Sequence, residues 1–178
     1  MISTPLKLGQ SIPGFELKGV DNNIHTVALF ENYELLLIVF SCNHCPYVKA
    51  YEGRIKDLQS RYRDGMQVVA INSNDSGKYH EDSFENMKNR ARDEKFKFVY
   101  LIDETQETAK AFGASHTPEF YLFNKERKLV YRGKFDDNWK EPEKVTNNYL
   151  IEAIDEVLAD KQVSVPETFS IGCTIKWK

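Results

Sequence analysis

The sequence predicts an α/β fold: a mixed central sheet with helices on both faces, preceded by an N-terminal β-hairpin. Three observations carry this. The run Leu35–Phe40 is apolar at every position, as a central strand covered on both faces must be. Just beyond it, Val48, Tyr51, Ile55, Leu58 and Tyr62 recur at spacings of three and four, which is one face of an amphipathic helix. The order is then strand–helix–strand early and hairpin–helix late, so the sheet is mixed and its early crossover is expected to be right-handed.

The elements follow in order. Phe15–Lys18 and His25–Ala28 flank the turn-rich Gly19-Val20-Asp21-Asn22-Asn23 and read as the small hairpin. After the central strand and its helix, Gly65 precedes a second strand, Gln67–Ile71. A polar, charged segment comes next, with Phe84, Met87 and Ala91 at helical spacing. Phe98–Ile102 is a third strand. Asp103 and Gln106 are spaced as an N-cap and its box partner before a short helix that Gly113 stops. Glu119–Phe123 and Lys128–Arg132 read as a hairpin joined at Asn124–Arg127. Leu150, Ala153, Ile154, Val157 and Leu158 mark a last helix. The tail from Val163 reads as irregular. No repeat or linker interrupts the chain, so residues 1–178 are expected to form one domain, with its core at about 9–158 and a tail at 159–178.

Composition bounds the function. At 178 residues, with 41% hydrophobic and 12% aromatic residues, the chain has material for one well-buried core. A net charge of −3 and no free-standing Lys/Arg cluster argue against nucleic-acid or anionic-membrane partners. The first residues lack the pattern of a secretory signal, and the longest apolar run is too short to span a bilayer. The expected location is cytoplasmic. Three cysteines in such a reducing compartment point to redox or metal chemistry and away from a structural disulfide framework.

Two of the cysteines stand at Cys42-Asn43-His44-Cys45, directly after the apolar strand. A thiol aimed at a helix N-terminus meets unpaired N–H groups and the positive dipole end, which favour the thiolate. A second cysteine three residues on lets a mixed disulfide be released internally. Cys42 is read as the nucleophile, at or just before the first helical turn, and Cys45, one turn on and facing inward, as the resolving thiol. Coincidence or half a zinc site is the competing reading of such a pair. His44, if it carries positive charge, favours the Cys42 thiolate and makes the disulfide a stronger oxidant; otherwise it is a solvated histidine. Pro46 belongs in the first helical turn, where its missing N–H costs least.

This order of elements, with Cys-x-x-Cys at the first strand-to-helix junction, resembles the thioredoxin fold from about Gly9 to Leu158. The hairpin, the extra helical segment and Thr117-Pro118-Glu119 are similar to its peroxiredoxin-like and TlpA-like branch. Cys42-Asn43-His44-Cys45-Pro46-Tyr47-Val48 and the ending Gly172-Cys173-Thr174-Ile175-Lys176-Trp177 are similar to thioredoxin-family proteins described only as peroxiredoxin-like. The resemblance implies the fold and settles no substrate. With the cysteine motif, the expected function is a thiol–disulfide oxidoreductase acting on a protein disulfide and recycled by a thiol reductant, with weak antioxidant activity at most. It needs no small-molecule cofactor, because the thiols carry the electrons.

The resemblance also implies a cis-proline at Pro118. The Thr117 backbone would then face the cysteines, free to pair with an extended substrate segment, and the proline would keep a metal from bridging the thiols. The buried acid that thioredoxins carry six residues before the first cysteine is absent, since that position is Leu36. Glu119 either places a carboxylate behind the pair in its stead, as a proton acceptor of raised pKa, or faces solvent. Cys173 is either a third redox thiol folding back on the pair or the free cysteine of a packed tail. His25, His80 and His116 read as structural or solvated, and Asp136, Asp137 and Trp139 as a turn or a rim contact.

Two rivals remain. A peroxidase of the peroxiredoxin type needs Pro and Thr seven and three residues before its cysteine. Those positions are Leu35 and Val39 counted from Cys42, or Ile38 and Cys42 counted from Cys45, so efficient peroxide reduction is disfavoured. Soft-metal handling through Cys42, Cys45 and a His or Cys173 is the other, for copper(I) or zinc.

Overall fold

The computed structural model describes residues 4–178. The apolar run forms strand β3 (Leu35–Ser41), after the hairpin β1 (Glu16–Gly19) and β2 (Ile24–Thr26). Helix α1 (Pro46–Arg61) returns the chain to β4 (Met66–Asn72), which lies parallel to β3 in a register from Leu35↔Met66 to Ser41↔Asn72. Helix α2 (Phe84–Asp93) leads to β5 (Val99–Ile102), parallel to β4. Helix α3 (Glu107–Phe112) and the short β6 (His116–Thr117) precede β7 (Glu119–Phe123), which runs antiparallel to β3 and hairpins into β8 (Leu129–Gly133). Helix α4 (Tyr149–Leu158) and a late strand β9 (Cys173–Thr174) complete the order. The seven-stranded sheet reads β2-β1-β5-β4-β3-β7-β8, with β6 and β9 as a separate pair.

Alternation in β3 divides the core, because successive side chains point to opposite faces. Leu35, Leu37 and Val39 pack with Tyr51, Ile55 and Leu58 of α1 and Leu150, Ala153 and Ile154 of α4. Leu36, Ile38 and Phe40 pack on the other face with Ala109 and Phe112 of α3, Tyr121 and Phe123. Each such leucine, isoleucine, valine or phenylalanine, at 0–3% exposure, contributes roughly 1.5–3 kcal/mol of apolar burial. The all-apolar strand is thus explained by helices on both faces.

Two local expectations change. Asp103 caps α3 from further upstream, accepting from the Ala109 N–H at 2.9 Å, while Gln106 turns away to bond Ser73 O and Lys176 O. Gly113 does end α3, at φ +65°, a conformation suited to glycine. The tail is not irregular throughout. Its last residues cross back to the ends of β3 and β4 and pair with β6, His116↔Thr174 and Thr117↔Cys173. Among the described residues no helix is long and apolar enough to cross a membrane.

Candidate active site

Parallel neighbours β3 and β4 end side by side, so the residues after each strand share one edge of the sheet. After β3 comes Cys42-Asn43-His44-Cys45; after β4 comes the buried polar run Asn72-Ser73-Asn74-Asp75. Helix α1 begins only at Pro46, with Cys45 as its N-cap. Cys42 therefore lies three residues upstream of the cap, just before the first turn as expected, because Pro46 at N1 fixes where the helix starts. The sulfur at the positive helix end is that of Cys45.

Three thiols gather here. Cys45 Sγ lies 2.9 Å from Cys173 Sγ, and Cys42 Sγ lies 3.6 Å from Thr117 Oγ1. Cys42 and Cys45 are 2% and 0% exposed, whereas Cys173 is partly exposed. A hydrogen bond from Cys42, backed by contacts from Cys173 and the Val48 amide, holds the Cys45 thiol well below the ordinary thiol range. The same bond to Cys45, then burial and the Asp82 charge, pushes the Cys42 thiol up. Burial, then the hydrogen bond to Cys45, raises Cys173. The Thr117 carbonyl, 3.3 Å from Cys45 Sγ, opposes this by accepting from a protonated Cys45. The helix terminus beside Cys45 and the neighbouring thiols favour a thiolate there over one at Cys42, which faces the Asp82 charge.

Asp82 is the acid at this site, and sequence reasoning missed it. It is 1% exposed in a 3-10 turn before α2. Its carboxylate accepts from the Asn43 N–H at 2.6 Å, Asn74 Nδ2 at 2.8 Å and Asn72 Nδ2 at 3.3 Å. His44 Nδ1 sits 2.6 Å from Asp82 Oδ2, out of line for a hydrogen bond, so the contact becomes an ion pair when the ring is protonated. His44 also stacks on Tyr79, with ring centroids 5.8 Å apart. Asn43 is fixed further by the Tyr100 hydroxyl, which donates to its Oδ1 at 2.9 Å. The only sequence signal was the polar run at the end of β4, which says that something polar is buried there without naming its partner.

Glu119 is buried, but it faces its own loop. Its Oε2 accepts from the Ser115 and His116 N–H groups at 2.8 and 3.1 Å, and its Oε1 from the Tyr121 hydroxyl. Those bonds hold the Thr117–Pro118 turn, whose peptide bond is cis. The Thr117 edge is not free for a substrate, because β9 already pairs with it. Asp136 is an anchor: it accepts from the Tyr51 hydroxyl at 2.7 Å and pairs with Arg54, and Arg54 also holds the Trp139 carbonyl. Trp139 is thereby packed on Tyr47, with centroids 4.3 Å apart. His116 bonds Ser115 and His25 bonds Asp21, and neither enters the site. A groove of about 660 Å³ lined by Leu8, Leu35, Leu129 and Leu158 opens at the other end of β3 and holds none of the thiols.

Comparison with known proteins places the fold. The chain is 42% identical to an uncharacterized conserved protein of Geobacillus kaustophilus, covering 99% of this chain and 95% of that one, at a TM-score of 0.92. It is 38% identical to a hypothetical protein of Sinorhizobium meliloti 1021, covering 99% and 97%, also at 0.92. The thioredoxin domain of a thiol–disulfide oxidoreductase from Bacteroides vulgatus shares the fold at a TM-score of 0.62 and 14% identity, covering 71% and 88%. A comparison with curated proteins gave no match. The Redoxin family model matches residues 7–150, and on that evidence, together with its thioredoxin-like fold, the chain belongs to the Redoxin family.

Proposed function

We propose that this protein is a thiol–disulfide oxidoreductase in which Cys45 attacks and Cys42 resolves. The observation that carries the reading is the position of Cys45 at the N-cap of α1, with its Sγ 2.9 Å from Cys173 Sγ and 3.3 Å from the Thr117 carbonyl. In the forward direction the Cys45 thiolate attacks a disulfide, and the substrate's first sulfur leaves as a thiolate. Cys42 then attacks the Cys45 sulfur of the mixed disulfide, and the second substrate sulfur leaves. The proton lost by Cys42 has acceptors at hand, since its Sγ, His44 Nδ1 and an Asp82 carboxylate oxygen lie within 4.8 Å of one another. Asp82 thus takes the part that the sequence offered to Glu119. His44, with Nδ1 2.6 Å from Asp82 Oδ2, is the residue placed to offset the Asp82 charge and tune the potential. Pro118 and Thr117 shape the face against which Cys45 works. A protein disulfide is the proposed substrate class, and a thiol reductant restores the dithiol.

The test is the reduction potential of the Cys42–Cys45 pair in Cys173→Ser protein, equilibrated in glutathione buffers with acid trapping of free thiols. A reversible two-electron transition supports the reading, and its value gives the direction of electron flow against the cellular thiol pool. Absence of a Cys42–Cys45 disulfide sinks it. One observation favours a second reading: Cys42 Sγ, His44 Nδ1 and Asp82 are close enough to hold one metal ion, and His44 Nδ1 makes no hydrogen bond. Protein that purifies with stoichiometric zinc or copper, its thiols blocked until a chelator is added, selects that reading.

A further inference from the structure

The tail does more than cover the site. We infer that Cys173 is a third redox thiol, which takes the disulfide over from Cys42–Cys45 and carries it to the surface as Cys45–Cys173. This rests on the oxidoreductase reading above and extends it.

The two sulfurs are 2.9 Å apart, so a bond of ordinary length requires them to close by about 0.9 Å. Both are held by backbone. Cys45 is fixed as the cap of a helix that starts with proline. Cys173 is fixed by its register with Thr117, by Ile175 N–H donating to Ser115 O at 2.9 Å, and by Asp75 N–H donating to Lys176 O at 2.8 Å. Lys176 N–H also donates to Asn74 Oδ1 at 2.9 Å, and Asn74 in turn donates to Asp82. Gly172 shows how closely the tail is fitted: a Cβ there would stand 2.1 Å from the Thr117 carbonyl oxygen. A tail that merely packed would not need its backbone pressed against the cis-proline loop at the residue before the cysteine.

Exposure gives the transfer its purpose. Cys42 and Cys45 are almost fully buried, and the strand that buries them is the one bearing the only partly exposed thiol of the three. A disulfide between Cys42 and Cys45 is therefore less accessible to an external reductant than one that includes Cys173. In the transfer the Cys173 thiol attacks Cys45 Sγ, the Cys42–Cys45 bond breaks, and a Cys45–Cys173 bond forms. Cys42 leaves as a thiolate and takes up the proton Cys173 gave up. No electrons enter or leave, and no outside reagent is needed. Cys173 in β9 also occupies the Thr117 edge, so the tail stands where an extended peptide would have to pair, as a substrate strand built into the chain.

The experiment uses full-length Cys42→Ser and Cys173→Ser proteins, with Cys42→Ala as a second form of the first. Each is equilibrated in glutathione buffers, acid-trapped and mapped by mass spectrometry of peptides under non-reducing conditions. The expected result is complete, reversible loss of free thiol in both Cys42 variants through an intramolecular Cys45–Cys173 disulfide. Wild-type protein at partial oxidation should contain both Cys42–Cys45 and Cys45–Cys173. Cys42 variants that give only glutathione adducts, while Cys173→Ser still closes Cys42–Cys45, overturn the inference and leave the oxidoreductase reading intact. Cys45–Cys173 closing where Cys42–Cys45 does not overturns the transfer together with the Cys42–Cys45 pair and leaves Cys45–Cys173 as the sole redox couple.

Discussion

Gly172→Ala isolates the fit of the tail without touching a sulfur. The new Cβ would lie 2.1 Å from Thr117 O and 2.7 Å from Thr117 C, both backbone atoms that cannot swing aside. Reaching ordinary contact at 3.4 Å requires a retreat of about 1.3 Å. Two responses compete. Releasing the tail forfeits the hydrogen bonds at Ile175, Lys176 and Lys178, five in number, at roughly 0.5–1.5 kcal/mol each and so ~2.5–7.5 kcal/mol in all. Bending it locally costs about 1–3 kcal/mol, as overpacking does elsewhere. Bending wins, so the strand stays attached while Cys173 moves away and the 2.9 Å sulfur contact opens to about 4 Å. The midpoint of thermal unfolding should fall by roughly 2–12 °C at about 2–4 °C per kcal/mol for a chain of this size. In the Cys42→Ser background, closure of Cys45–Cys173 by diamide, followed by stopped quenching, should slow, while closure of Cys42–Cys45 in a Gly172→Ala/Cys173→Ser protein stays as in Cys173→Ser alone. An unchanged midpoint together with an unchanged Cys45–Cys173 rate would refute the argument from close approach.

Three further outcomes are expected. Asp82→Asn removes the buried acceptor proposed for the Cys42 proton, so release of a mixed disulfide on Cys45 by Cys42 should slow. An unchanged release rate in stopped quenching would contradict the assignment. Glu119→Gln should cost about 1–3 kcal/mol in urea unfolding, because two backbone N–H groups lose a charged acceptor, yet leave the Cys42–Cys45 potential unchanged; a moved potential would return Glu119 to the chemistry. Thiolate ultraviolet absorbance of the reduced protein should persist well below the ordinary thiol pKa and vanish in Cys45→Ser but not in Cys173→Ser. The sign for stability follows from the lowered value. The unfolded chain holds the Cys45 proton more tightly, so its contribution is full above the ordinary thiol pKa and is lost as pH falls through the folded one. A denaturation series that shows no such loss in wild type relative to Cys45→Ser speaks against a Cys45 thiolate.

Much of the fold was legible because its signals are local. Leu35–Phe40 announced a strand covered on both faces, and the three- and four-residue spacing from Val48 to Tyr62 announced the helix behind it. Gly113 marked the end of α3 by its conformation, and Thr117-Pro118 marked the turn beside the thiols. The helix start was less legible. Proline tolerates N1, but the sequence does not say whether the chain before it is already turning, so only the structure put Cys45 at the cap with Cys42 three residues before it.

The sequence by itself determined that a cysteine pair would stand at the carboxyl end of the central strand, since strand, motif and helix are contiguous. Only the tertiary structure decided what surrounds it. Asp82 reaches Asn43 and His44 across roughly forty residues, Glu119 is drawn to its own loop, and Cys173 meets Cys45 from 128 positions away. Pairings of that kind are settled by strand register and by the need to satisfy buried polar groups, and neither leaves a mark on the residues near the motif. The tail carries no apolar period that would announce β9; its place follows from the Thr117 edge, which is open only after the sheet and the Pro118 turn have formed.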